Sequence, residues 1–193
     1  FAHMSRAFHA DPEILTKSLD GRRDDVIGCI ACNKCVAQLF GSQGVVCTVN
    51  PDCGRERFAA LTPAASTRKV LVVGGGMAGM EAARVAAERG HNVTLYEAGD
   101  SLGGWLNVLR APRNRLNWNR AIKDRVRLCE QAGVSIEMDT TVDADLVRSE
   151  QPDVLIVATG AKPFMPAYLP GFEEEIVTSY DDIIRGEVDV GVN

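Results

Sequence analysis

Four cysteines carry the chemistry of this sequence most directly. Cys29, Cys32 and Cys35 fall in the run CIACNKC, and Cys47 follows after eleven further residues. Two overlapping CxxC steps place three thiolates on one tight loop. A four-iron, four-sulfur (4Fe-4S) cluster needs such a loop, because each iron takes one thiolate, and Cys47 would close the cage from farther along the chain. The cluster moves single electrons, so the spacing predicts an electron-transfer protein or a redox enzyme. Structural zinc on four thiolates more naturally shows two separated CxxC pairs. Disulfides suit short secreted chains, whereas six Cys in 193 residues is not disulfide-dense and the opening residues do not read as a signal peptide. Cys53, in NPDCGRE, and Cys129, in AIKDRVRLCEQAG, lie outside the spacing and are expected to be packed thiols.

A second constellation begins at Lys69. KVLVVGGGMAGMEAARVAAERGHNVTLYEA runs from an apolar strand (Val70 to Val73) through Gly74, Gly75 and Gly76 into a helix, then into a second strand ending at Glu97. Gly74 permits the tight turn, Gly76 lets backbone approach a pyrophosphate, and Gly79 lets helix and strand pack closely. The helix N-terminus at Met77 and Ala78 offers free N–H groups and a positive dipole end to phosphates. Glu97, 23 residues beyond Gly74, is placed for the ribose hydroxyls of an adenine dinucleotide. No Arg follows it directly, which argues against a 2′-phosphate, while FAD, NAD and ADP all fit. Two further pieces face the same ligand. The loop AGDSLGGWLN brings Gly103, Gly104 and Trp105 near it, and QPDVLIVATGAKP reads as a buried apolar strand (Val154 to Val157) ending in Ala158, Thr159 and Gly160. Small residues at the carboxyl end of such a strand line the crevice where open α/β sheets bind ligands.

The elements that must position these residues form a modest α/β chain. A 46% hydrophobic content over 193 residues suffices for one good core and a small appendage. A net charge of −5 gives no electrostatic reason to expect nucleic acid, and no apolar stretch approaches a membrane span, so a soluble, reducing, cytoplasmic setting is the default expectation. LTPAASTRK (61–69) reads as a linker. RNRLNWNRAIKDRVRLCEQAGV is helix-compatible, with Leu116, Ala121, Ile122, Val126 and Leu128 apolar and Gly133 as the stop. Its five arginines and one lysine are expected to form mostly a solvated face, with Arg113 or Arg115 as the alternative contact to a cofactor or partner. VSIEMDTTV should give a strand and DADLVRSEQPD a short helix. Near the start, Asp11 as N-cap, Pro12 at the first helical position and Gly21 as a stop predict another helix.

The order CIxCNxC, eleven-residue gap, CxVNP, linker, VGGGMAGMEAA, Glu97, GGWLN and ATGAKP resembles the C-terminal half of the iron-sulfur flavoenzymes that include 2,4-dienoyl-CoA reductase, trimethylamine dehydrogenase and histamine dehydrogenase. The resemblance covers nearly the whole chain. It implies a Rossmann-like, glutathione-reductase-type domain binding FAD or ADP over 70–193, cut before the NAD(P)H-binding half. Before it would come an iron-sulfur segment over 25–60 and, over 1–24, the last helix of a (β/α)8 barrel that holds FMN. MSRAFHADPEILTKSLDGR is similar to that barrel ending, so the resemblance gives Arg6 the FMN phosphate; His3 stands where the family has a glycine. It also sets Thr141 or Val142 against the adenine. Electrons would pass between the cluster and flavins, in a reductase of enoyl thioesters drawing on NAD(P)H or a dehydrogenase of amines serving an external acceptor. The partners implied are the rest of its own flavoenzyme or a redox partner, with a homo-oligomer compatible. On this reading the chain begins inside a barrel unit and stops before the nicotinamide domain, and alone it would not turn over. The competing class is a non-catalytic module with structural ADP and with zinc held by the four thiolates.

Overall fold

A computed structural model describes residues 3–58, 60–115, 117–164, 166–189 and 191. The chain runs through α1 (Arg6–Ala10), α2 (Ile14–Leu19), a 3-10 turn (Arg23–Asp25) and α3 (Lys34–Phe40), then β1 (Lys69–Val73), α4 (Met77–Glu88), β2 (Asn92–Tyr96) and α5 (Trp105–Leu109). A second 3-10 turn (Arg113–Arg115), α6 (Trp118–Gln131), β3 (Ser135–Glu137), α7 (Ala144–Glu150), β4 (Val154–Val157) and α8 (Tyr180–Arg185) follow.

All four strands are parallel, in the order β3-β2-β1-β4, with Val70 opposite Val93 on one side and Val154 on the other. The chain moves outward from β1 to β2 and β3, then returns across β1 to place β4, so the reversal point lies between the ends of β1 and β4. Ligands of open α/β sheets bind at that point. The core beneath it consists of Val70, Val72, Val93 and Leu95 from the strands, Met80 and Ala83 from α4, and Cys129 and Val134 from the end of α6 onward. Leu95 and Met80 are fully buried, each contributing about 1.5–3 kcal/mol by area removed from water.

Several local expectations change. β4 is the sheet's edge: Val154 and Ile156 pack on the core, while Leu155 is 42% exposed and Val157 68% exposed. Its apolar run therefore marks a strand covered on one face only among the described residues. β3 is three residues long, because Asp139, two residues beyond it, turns left-handed at φ 52°. At the N-terminus α2 begins at Ile14, and the Asp11 carboxylate accepts from Glu13 N–H (3.0 Å), Ile27 N–H (2.9 Å) and Lys17 Nζ (2.8 Å). Asp11 thus anchors the segment entering the cysteine loop, while the cap of α2 is Glu13 rather than Asp11 and Pro12 lies in the turn before the helix. Gly21 ends that helix at φ +75°. The short α1 lacks a sequence signal strong enough to have announced it.

The charged face of α6 is the larger revision. Asp124 and Arg125 are buried. Asp124 accepts from Gly28 N–H (2.9 Å), Arg120 donates to the Val26 carbonyl (2.9 Å), and Arg125 donates to the Val49 carbonyl (3.1 Å) while pairing with Glu81 on α4. Arg127 pairs with Asp25 at 3.2 Å. This face is a docking surface for the cysteine segment, since backbone groups of 26–28 and 49 need partners once covered. Burial pushes the Arg125 guanidinium below its ordinary range, as the loss of water disfavours its charge. Arg115 instead stacks on Trp118, its guanidinium 4.7 Å from the ring centre. Leu116 and the Arg113 side chain lie outside the described residues. The 61–69 segment runs along the end of α4, with Ala64 N–H on the Arg89 carbonyl and Arg89 Nε on that of Thr62, and its last residue already belongs to β1.

Candidate redox pocket and dinucleotide crevice

The CIACNKC loop is wound by two left-handed residues, Ala31 (φ 54°) and Asn33 (φ 58°). A non-glycine residue in that region is uncommon and costs energy, which makes Ala31 the more informative of the two. The winding turns Cys29, Cys32 and Cys35 toward one small pocket that Cys47 also lines, together with Arg6, His9 and Thr48. All four cysteines are free and partly buried. Cys32 Sγ lies 3.1 Å from the Thr48 hydroxyl, and Arg6 donates to Asn33 Oδ1 at 2.6 Å, clamping the loop between its second and third thiols. Arg6 therefore sits at the cysteine pocket. His9 Nδ1 is buried without a hydrogen-bond partner. Cys53 is buried nearby, its thiol pushed above the ordinary value by burial and then by neighbouring Cys47. Among the described residues, no three His, Cys, Asp or Glu side chains gather tightly enough to hold a single metal ion.

The second site opens at the sheet's reversal point as a crevice of about 680 Å³. Gly74 turns there at φ +105°, and a Cβ on it would meet the Ala158 carbonyl oxygen at 2.4 Å. Gly79 faces the Gly74 carbonyl so closely that a Cβ would stand 1.9 Å from its oxygen, which is how α4 comes down on β1. Gly76, the cap of α4, is different: a Cβ there would meet no heavy atom within 4 Å. Space above that backbone is what a bound pyrophosphate requires. Glu97, at the end of β2, accepts from Gly75 N–H at 2.7 Å and Gly99 N–H at 2.9 Å, so its carboxylate is fixed at the crevice wall.

Gly103 and Gly104 close the opposite wall. Gly103 N–H reaches the Gly75 carbonyl (2.9 Å), and a Cβ on Gly104 would come within 3.2 Å of the Gly76 backbone. Trp105 Nε1 donates to the Ala161 carbonyl (2.6 Å), and Arg185 lies over its indole at 5.8 Å. Gly74, Gly76, Met77, Ala78, Glu97, Gly104, Trp105, Ala158, Thr159 and Gly160 line this one crevice. Gly75 and Gly79 support it from behind. Val142 is partly buried outside its lining, and Arg6 belongs to the cysteine pocket. Sequence reading missed two cations on the crevice, Lys162 and Arg185. Arg185 sits on α8, whose Ser179 cap, accepting from Asp182 N–H at 3.2 Å, and Gly186 stop were the available signals. A groove of about 760 Å³ along α4 and β4, lined by Ala82, Ala86, Val154 and Ile156, contains no part of the glycine turn and no Glu97.

The two sites share a wall. Met77 and Leu106 line the crevice, and both pack against the apolar cluster of Ala10, Ile30, Val49 and Ala121 that also receives Cys29, Cys32 and Cys47. The cysteine segment and the dinucleotide unit thus meet through a joint core. The residues fit the groups the sequence implies: an orphaned polar atom borders four thiolates, and an open backbone cradle caps a helix of twelve residues.

The family model for pyridine nucleotide-disulphide oxidoreductases matches residues 68–189. The chain is 36% identical over 192 residues to a probable N-methylproline demethylase of Rhizobium meliloti, covering 98% of this chain and 28% of that protein. It superimposes on 2-naphthoyl-CoA reductase, in a complex with 2-naphthoyl-CoA, with a TM-score of 0.89 at 39% identity, over 97% of this chain and 29% of that one. On histamine dehydrogenase from Rhizobium sp. 4-9 the TM-score is 0.78 at 31% identity, over 83% and 26%. The chain spans less than a third of the length of these relatives. It belongs to the pyridine nucleotide-disulphide oxidoreductase family, in the branch of the 2,4-dienoyl-CoA reductase, trimethylamine dehydrogenase and histamine dehydrogenase flavoenzymes.

Proposed function

We propose that this chain is the electron-transfer part of an iron-sulfur flavoprotein oxidoreductase. Cys29, Cys32, Cys35 and Cys47 hold a 4Fe-4S cluster, and the crevice from Gly74 to Gly160 holds FAD or ADP. The cluster, when bound, takes up and releases one electron at a time. The chain's own residues hold the two groups at a fixed separation and exclude water between them. The observation that carries this reading is the shared wall: Met77 and Leu106 touch the crevice on one side and the cysteine-bearing core on the other. A protein that merely stored a metal and a nucleotide would have no need to pack their sites together.

The cysteine spacing supports a cluster over a single zinc ion, since two overlapping CxxC steps set three thiols on one loop, whereas structural zinc favours two separated CxxC pairs. In the complete protein, electrons enter or leave through further parts, and the names of the relatives, a reductase of the thioester 2-naphthoyl-CoA and dehydrogenases of histamine and of N,N-dimethylglycine and sarcosine, support the two substrate classes of the family resemblance: thioesters to be reduced, enoyl thioesters among them, or amines to be oxidised. In the barrel arrangement Arg6 would serve the FMN phosphate while retaining its bond to Asn33, and Val142 would flank the adenine. Denaturing the full-length protein and identifying the released nucleotide, alongside iron and acid-labile sulfide, tests the assignment. Released FAD with iron and sulfide supports it; zinc without sulfide refutes it.

A further inference from the structure

We propose that His9 is a hydrogen-bond donor to the cluster and raises its reduction potential. The inference rests on the cluster reading and goes beyond its four thiolates.

A buried ring nitrogen without a partner costs about 1–3 kcal/mol, so native structures rarely leave one unless something else occupies the neighbouring space. His9 Nδ1 is such an atom, and the residue borders the pocket lined by all four cysteines. The backbone that carries the ring is held in place. The His9 carbonyl accepts from Asn50 Nδ2 at 2.9 Å, and the next residue, Ala10, is completely buried in the core that also receives Cys29, Cys32 and Cys47.

A sulfur-bound cluster is rich in acceptors and poor in donors. Thr48, beside Cys32 Sγ, is one group able to donate, and His9, which borders the same pocket with its Nδ1 buried and unpartnered, is a second. The cluster gains negative charge on reduction, so a donor aimed at its sulfurs binds the reduced form more strongly and raises the potential. The same bond fixes the imidazole tautomer with the proton on Nδ1.

The test uses the cluster-loaded full-length protein in three forms: wild type, His9→Leu and His9→Asn. Iron and sulfide are measured first, because their absence from wild type overturns the cluster reading itself, and with it this proposal. With the cluster present, His9→Leu should make one-electron reduction about tenfold less favourable, a fall of about 59 mV in the midpoint followed by EPR. His9→Asn, whose side-chain amide can replace Nδ1–H, should return toward the wild-type value. Pulsed EPR of reduced wild type carrying 15N-histidine should show a nitrogen coupled to the cluster spin. That coupling should vanish in cluster-replete His9→Asn, which assigns it to His9 even if His9→Leu fails to retain the cluster. An unchanged midpoint in cluster-replete His9→Leu, or no histidine coupling in wild type, overturns the proposal.

Discussion

Gly76 and Gly79 stand three residues apart in one fingerprint, and the structure gives them opposite fates on substitution. At Gly79 a Cβ would stand 1.9 Å from the Gly74 carbonyl oxygen. The obstacle is backbone, so no rotamer change relieves it, and α4 must lift from β1 by roughly an ångström. Overpacking of this kind costs about 1–3 kcal/mol, against which Gly79→Ala gains about 1 kcal/mol in helix propensity. An approach of 1.9 Å to backbone sets the cost at the upper end of that range, so the net loss, about 2 kcal/mol, should lower the melting temperature by several degrees in a unit of this size. Gly76 has φ −69° and ψ 177°, open to any residue, and a Cβ there meets nothing within 4 Å. Gly76→Val should therefore change stability by less than about 1 kcal/mol, the scale of a cap substitution. Its side chain grows into the crevice, so it should retain no dinucleotide. Unfolding must be compared on nucleotide-stripped protein, because bound ligand adds stability by mass action. Stoichiometric nucleotide in Gly76→Val, or wild-type melting of stripped Gly79→Ala, would refute the reasoning.

Three further outcomes follow from the packing. Asp124→Ala removes the buried acceptor of Gly28 N–H, a charged hydrogen bond at 2.9 Å worth about 1.5–3 kcal/mol, and should speed amide exchange across residues 26–35, whereas Asp124→Asn should largely preserve it; equal protection in Asp124→Ala and wild type would count against the docking role of α6. Cys47→Ala should lose the cluster and keep the sheet, whose core contains none of the four cysteines, yet weaken nucleotide binding because the joint wall loosens; titration showing unaltered affinity would argue for independent units. Burial pushes the Cys129 thiol from the ordinary 9.0 up to about 11, so the unfolded chain releases that proton first. Its contribution is complete below pH 9.0 and should fall by about 1.4 kcal/mol per pH unit until about pH 11. Denaturant unfolding across that range should show this slope in wild type and lose it in Cys129→Ser; identical slopes would contradict it.

The parts of the fold governed by local rules were legible in the residues. The glycine turn, α4, Glu97 at the end of β2 and the small residues after β4 each follow from short-range chemistry, and they converge on one crevice. What escaped depends on contacts between residues far apart in the chain. The charges of α6 have the spacing of a solvated face, and only the arrival of Gly28 and Val49, separated from it by about 75–100 residues, turns Asp124 and Arg125 inward. Leu155 and Val157 read as buried because a parallel sheet is normally covered on both faces, a pattern that cannot reveal an edge. Arg185 reaches the crevice from a helix close to the far end of the chain. His9 carries no motif, and its orphaned nitrogen is visible only in three dimensions.

The central claim, that a 4Fe-4S cluster and an adenine dinucleotide occupy adjoining sites, is tested most directly by assaying metal, acid-labile sulfide and released nucleotide on one anaerobic preparation of the full-length protein. The predicted result is about four iron and four sulfide for each chain together with one FAD or ADP. About one zinc for each chain with no sulfide, or no adenine nucleotide, would contradict it.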